Sequence, residues 1–211
     1  MKQLPQKIKR FTRALQDEIL TESATNFYAA KRRSLQRYNL EMYLGYMFAQ
    51  KTKVLLVGEA PGYNGCRLTG IPFTSEYLVG KGVCGGKLFG KENGYKASGI
   101  RARKEQSATA MWSVLEEFEE LPLLRNAFAF HPHKDGNEAS NRKPTAKELE
   151  IGKKYLFELI KIFDIQSVIA VGNVADSLLN KMEVSHTKVR HPSYGGKKKF
   201  KEELRYNLQK T

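Results

Sequence analysis

Val54-Leu55-Leu56-Val57-Gly58-Glu59-Ala60-Pro61-Gly62 decides the fold. Four apolar residues without polar alternation suit a strand buried on both faces. The run enters a glycine and then turns, at the carboxyl end of a strand, where an open α/β sheet places its ligands. Glycine at that point lets backbone N–H groups approach a ligand closely. No Gly-Lys-Ser/Thr follows, so this is not a Walker loop, and the G-x-G-x-x-G spacing of a dinucleotide fingerprint is absent. By itself such a loop is more often a plain βα turn than a catalytic site.

Outward from it, the chain alternates strands with helices. Ile8, Phe11, Leu15 and Ile19 recur at helical spacing, and residues 26–48 read as a second helix. Residues 58–107 are rich in glycine and turn chemistry. Ser107 or Thr109 is expected to cap a helix through Trp112, Leu115 and Phe118, ended by Pro122. Leu124–Phe130 reads as a strand, and Pro144–Glu148 opens a helix running to Phe163. Ser167-Val168-Ile169-Ala170-Val171-Gly172 is a second buried strand, followed by a helix through Leu179, a strand near Lys188 and a helix over Phe200–Leu208. This order argues for right-handed βαβ crossovers and a parallel, three-layer arrangement. With 211 residues and no internal repeat or linker, one domain over 1–211 is expected, with 1–50 as a helical extension packed on it.

The charge is informative. Thirty-six Lys and Arg against 22 acids give a net +14, a field that attracts polyanions. The cations lie in tails and loops rather than along an amphipathic lipid-binding helix, so nucleic acid is the expected partner and a membrane is not. No apolar run reaches bilayer length, and Met1–Pro5 lacks signal-peptide character, so a cytoplasmic setting and a monomer are expected. Two cysteines, Cys66 and Cys84, supply no disulfide framework.

Further short segments join the first loop. Gly70-Ile71-Pro72-Phe73-Thr74-Ser75 sets an aromatic between a proline and hydroxyls. Asn126 lies in the 124–130 strand, Asn141-Arg142-Lys143-Pro144-Thr145 opens a helix, Val171-Gly172-Asn173 follows a strand, and His191-Pro192-Ser193 comes last. In this order the chain resembles the uracil-DNA glycosylase superfamily, and most closely its thermophilic branch with Gly-Glu-Ala-Pro-Gly. The resemblance covers about Val54 to Tyr194. It implies a three-layer α/β/α sandwich with a central, mainly parallel four-stranded sheet. It also implies an enzyme that hydrolyses the N-glycosidic bond of a base flipped out of DNA.

By that resemblance Gly58, Ala60, Phe73 and Asn126 form the base pocket. Phe73 is the stacking floor and Asn126 the amide that reads the Watson–Crick edge of uracil. His191 donates to uracil O2 as the bond breaks, as a neutral ring or as a cation, and Glu59 orients water or stabilises the sugar cation. Ser193 and Tyr194 press into the minor groove, with Tyr194 as wedge. Apart from the resemblance, the adjoining Lys197, Lys198 and Lys199 suit phosphate contact, and the basic insertion 79–104, which is unlike the family core, carries Arg101 and Arg103 and is expected to embrace DNA or a different substrate. Each has a plain alternative: a core phenylalanine, a strand-end asparagine, a turn histidine, a carboxylate complementing a helix N-terminus, a solvated charge run.

Two departures weigh against full equivalence. Ala60 stands where the better-known branch has a water-positioning aspartate. The cysteines that hold a four-iron cluster in the thermophilic branch are missing, so no cluster, metal or other cofactor is expected. Packed aromatics such as Phe27, Tyr28 and Tyr43 are expected to cover the cluster's place. The alternatives are preference for another base such as hypoxanthine, a weakened member that binds DNA or RNA without cutting, and an α/β nucleotide-binding protein of other chemistry.

Overall fold

The computed structural model describes residues 4–29, 34–98 and 104–211. At its centre is β2 (Val54–Gly58), hydrogen-bonded in parallel to β3 (Leu123–Asn126) on one side and β5 (Ser167–Val171) on the other. β6 (Thr187–Val189) pairs in parallel with β5, giving a four-stranded sheet of order β3-β2-β5-β6. Leu55, Leu56 and Val57 are fully buried, as a strand covered on both faces requires.

The order reverses direction at β2. Right-handed crossovers therefore put α5 (Gln106–Leu115), between β2 and β3, on one face. They put α6 (Ala146–Phe163) and α7 (Asn173–Lys181) on the other. The last helix, α8 (Lys197–Leu208), packs against α5 and completes the three layers. The switch point lies between β2 and β5, and four loops open there at the carboxyl edge.

The N-terminal α1 (Gln6–Asp17) and α2 (Leu35–Ala49) close the β3 side. The Leu124 N–H, which no neighbouring strand receives, donates to the Tyr43 hydroxyl at 2.8 Å. α1 is tied to α6, with Lys7 Nζ donating to the Ile162 carbonyl at 2.7 Å and the Tyr155 hydroxyl to that of Ala14 at 3.0 Å. Arg125 on β3 is buried with its guanidinium 5.4 Å from the centre of the Phe11 ring. Tyr28 packs on Phe130, with ring centres 6.2 Å apart, whereas Tyr43 sits away from them against Phe89.

Several sequence expectations move. α1 stops at Asp17, and Ile19 is 89% exposed rather than core. The second helix starts at Leu35, not at 26, because Ser34 caps it. Asn26 instead donates to the carbonyls of Leu15, Gln16 and Glu18 and closes the end of α1. Ala24–Thr25 forms β1, which pairs antiparallel with β4 (His131–Pro132) in a stretch expected to be loop. β3 ends at Asn126, because the chain beyond it bends although Ala127–Phe130 remain buried. The glycine-rich stretch contains α3 (Cys66–Thr69) and α4 (Glu76–Lys81), and α5 is capped by Glu105 instead of Ser107 or Thr109.

α6 begins with a capping box between Thr145 and Glu148, and Arg142 adds two hydrogen bonds of 2.7 Å to the Glu148 carboxylate. Burial alone would raise the Glu148 pKa, but the Arg142 and Thr145 donors outweigh it and hold it below the ordinary value. A carboxyl depressed in the folded state contributes stability above its unfolded pKa and loses it as pH falls through the folded one. Glu148→Gln should therefore lower unfolding free energy by about 1–3 kcal/mol at neutral pH and weaken the loss of stability on acidification, as read by urea titrations at several pH values. Tyr43→Phe leaves the Leu124 N–H buried without a partner. The same titration should show a loss of about 1–3 kcal/mol, and an unchanged midpoint would mean that water replaces the hydroxyl.

Candidate active site

At the end of β2, the backbone of Gly58 carries two side chains from distant segments. A Cβ there would lie 2.8 Å from Asn126 Oδ1 and 2.8 Å from Phe73 Cε2, with Phe73 Cζ closer still. The aromatic edge and the amide therefore meet over bare backbone. Phe73 adopts φ +51°, a left-handed conformation that costs a side-chain-bearing residue about 1–2 kcal/mol. It is held there by the Trp112 indole, whose N–H donates to the Phe73 carbonyl at 2.9 Å. Asn126 is 5% exposed, and among the described residues its side-chain amide has no hydrogen-bond partner. A strand-end cap would have used that amide.

The loop beyond Gly58 is pinned from two sides. The carbonyls of Gly58 and Glu59 accept from Ala127 and Phe128 N–H at 2.8 and 3.0 Å, extending the β2–β3 register past the strands. His131 faces the Pro61 carbonyl at 2.7 Å through Nδ1 and the Glu138 carbonyl at 2.9 Å through Nε2. Asn141 Oδ1 accepts from Tyr63 N–H at 3.0 Å. Glu59 is half-buried, and desolvation raises its carboxyl pKa, partly offset by the Lys143 ammonium. Ala60 is partly buried and packs against the core.

After β6 the chain turns back over the sheet. His191 Cβ would stand 3.0 Å from a Cβ on Gly172, the residue that follows β5 and caps α7, so the ring lies at the carboxyl end of β5. Neighbouring strands are about 4.8 Å apart, which puts the ring one strand from Gly58. His191 Nδ1 accepts from Ser193 N–H at 3.2 Å and faces the Ser193 hydroxyl at 2.7 Å. Its lone pair is thus used, and the proton of the neutral ring sits on Nε2. Burial lowers the His191 pKa, opposed by the charge of Glu105 and reinforced by Arg190.

Tyr194, at φ +50°, is 96% exposed at the tip of this loop, and Gly195 follows at φ +74°. Lys197, Lys198 and Lys199 form the first turn of α8 and are exposed. Cations are disfavoured at a helix N-terminus, so these three do not stabilise the helix start, and Lys199 pairs with Glu203 at 3.7 Å.

Gly58, Phe73 and Asn126 thus share one spot, and Glu59, Ala60 and His191 leave the same sheet edge on neighbouring loops. Ser193 and Tyr194 continue from His191. Arg101 and Arg103 lie outside the described residues. Three further residues had no signal in the sequence: Trp112, which holds Phe73; His131, which pins the loop; and Glu105. The Glu105 carboxylate accepts Ser107 and Ala108 N–H at 2.9 and 2.6 Å, and its Cγ lies 3.2 Å from where a Cβ on Gly65 would stand. Its charge reaches His191. Cys66 is buried, with its thiol pKa pushed up to about 12 by desolvation.

A search of curated proteins finds no match to this chain. Among solved structures, the crystal structure of wild-type SMUG2 from Pedobacter heparinus is similar with a TM-score of 0.68 at 14% identity, over 97% of both chains. That likeness establishes the fold. A family model described as the Uracil DNA glycosylase superfamily matches residues 45–209, from within α2 to the end of α8. The chain belongs to the uracil DNA glycosylase superfamily.

Proposed function

We propose that this chain is a monofunctional DNA glycosylase that hydrolyses the bond between deoxyribose and a flipped-out uracil, leaving an abasic site. The observation that carries the reading is the unpartnered side-chain amide of Asn126, a residue 5% exposed, against the Phe73 ring over Gly58. An aromatic edge beside an amide with free hydrogen-bonding capacity suits a planar base that has both a π-face and a polar edge. The amide can donate to uracil O4 and accept from N3–H, whereas cytosine reverses both requirements.

Chemistry follows from the charges. As the glycosidic bond lengthens, electrons move onto uracil O2 and the sugar becomes cationic. His191, with Nδ1 engaged by Ser193, offers Nε2–H to the developing oxyanion as a neutral donor. The Glu59 carboxylate, ionised, stabilises the sugar cation and orients the water whose oxygen adds to the anomeric carbon. Water's proton balances the departing uracil anion. Ala60 supplies no second carboxylate, so this role falls on Glu59. Tyr194 fills the gap left by the base, and Lys197–Lys199 hold phosphates beside it. Among the described residues no helix is long and apolar enough to cross a membrane.

Duplexes carrying U·G, U·A, hypoxanthine·T or T·G, treated with alkali after incubation, decide the matter. Cleavage at uracil is expected; cleavage at hypoxanthine alone would move the substrate, and salt-sensitive binding without any cleavage would sink the glycosylase reading. His191→Ala should reduce the single-turnover rate about 10²–10³-fold with binding retained. Gly58→Ala, whose methyl would overlap Phe73 and Asn126, should abolish cleavage without unfolding the protein. The rate should be flat near neutral pH and fall on acidification as Glu59, whose pKa is raised, takes up a proton. Glu59→Gln should be slow and lack that acid limb.

A further inference from the structure

α2 is apolar on two faces. Leu40, Tyr43, Leu44 and Met47 are buried towards the sheet, while Tyr38, Met42 and Tyr46 on the opposite side are only partly covered. A helix apolar all round is normally buried all round. Here the second face instead forms the floor of a groove of about 920 Å³, at the upper end of ligand-site volumes. α1 makes one wall, and Lys87, Asn93 and Tyr95 make the other. None of Gly58, Glu59, Phe73, Asn126 or His191 lines it, so it is separate from the site above.

The rim is cationic. Lys9, Arg10 and Arg13 on α1 and Lys87 opposite are exposed, and among the described residues none has an ion-pair partner. The groove also contains a carboxylate, Glu41, which already accepts from the Thr12 hydroxyl at 2.9 Å and pairs with Arg37 at 3.2 Å. At the inner wall the Tyr95 hydroxyl has no partner although the residue is only 5% exposed. Burial raises its pKa, with the neighbouring tyrosines adding to the effect, so it stays a donor. A buried donor without an acceptor is destabilising, and an incoming ligand with an acceptor atom relieves that cost.

Cations along an edge, tyrosines on the floor and one waiting donor together describe a ligand with phosphates outside and flat, acceptor-bearing rings inside. From Met42 to Tyr46 the helix axis advances about 6 Å, room for about two bases stacked at 3.4 Å. An acyl chain would leave the Tyr95 donor unpaired. We propose that the α1–α2 groove binds a short run of single-stranded nucleic acid, with its phosphates on Lys9, Arg10 and Arg13 and its bases over Met42 and Tyr46, beside the Tyr38 ring that Lys96 already covers at 4.4 Å. The site is independent of base excision.

A labelled twelve-residue oligothymidylate, which contains no uracil, tests the site by fluorescence anisotropy, beside a thymine-adenine duplex of equal length and phosphatidylglycerol vesicles. Lys9→Ala/Arg13→Ala, both exposed, should weaken the single strand at least tenfold and reduce the slope of log affinity against log salt by about 1.4. Duplex affinity should change less than twofold. Tyr46→Ala should weaken the single strand roughly tenfold with the salt slope unchanged, provided its circular dichroism matches the parent. Single-strand affinity unaltered in the double variant would overturn the proposal. So would equal losses for strand and duplex, or a loss confined to vesicles.

Discussion

A Cβ on Gly58 would lie within 2.8 Å of both the Asn126 amide and the Phe73 ring, so a single absent methyl group lets two distant segments meet. The rest of the site is arranged around that contact. β2 is central in the sheet, which makes its end a fixed reference point, and β3 brings Asn126 opposite Gly58 in register. Phe73 comes from a long excursion and must enter in a left-handed conformation, which Trp112 on α5 maintains. The helix between the first two sheet strands is therefore also the clamp on the aromatic floor.

A second arrangement is electrostatic. The chain is strongly cationic, yet the groups nearest the proposed chemistry are a half-buried carboxylate and a histidine whose proton affinity burial reduces. Lys143 and Arg190 bring single positive charges near these two groups, and a denser cluster stands further out on the first turn of α8. In the proposed reaction that arrangement would let the outer cations gather the polyanion, while the interior keeps a negative group for the sugar cation and a neutral donor for the leaving base. Glu105 takes part in both halves, capping α5 and contributing a negative field at His191.

Where burial and backbone agree, the sequence is easily read. The apolar runs 54–57 and 167–171 are strands because parallel strands are covered on both faces. Ala127–Phe130 looked the same and is just as buried, but its N–H groups follow the loop carbonyls of Gly58 and Glu59 and the strand ends early. Periodicity reports burial and is blind to that bend. Asn26 was read as part of a helix, since nothing local shows that its amide closes the end of another one. The loop segments around Gly58, Phe73, Asn126 and His191 could be picked out in order, and the structure brings the first three into contact. Trp112 and His131 could not, because each acts through a carbonyl whose neighbour is known only after folding.

The covering of the β3 edge has a consequence for how the chain is made. α1 and α2 are synthesised first, yet the groups that receive them arrive much later: Leu124 for Tyr43, Tyr155 for Ala14, Ile162 for Lys7. Leu124 is reached after about three fifths of the chain and Ile162 after about three quarters, and until then two helices carrying Phe11, Leu15, Leu40, Tyr43 and Met47 lack the surfaces that receive them. Contacts this distant in sequence close slowly, because loop entropy is lost before they form. The nascent chain therefore spends a long interval with the apolar residues of its first two helices uncovered, a window in which a ribosome-bound chaperone has something to hold.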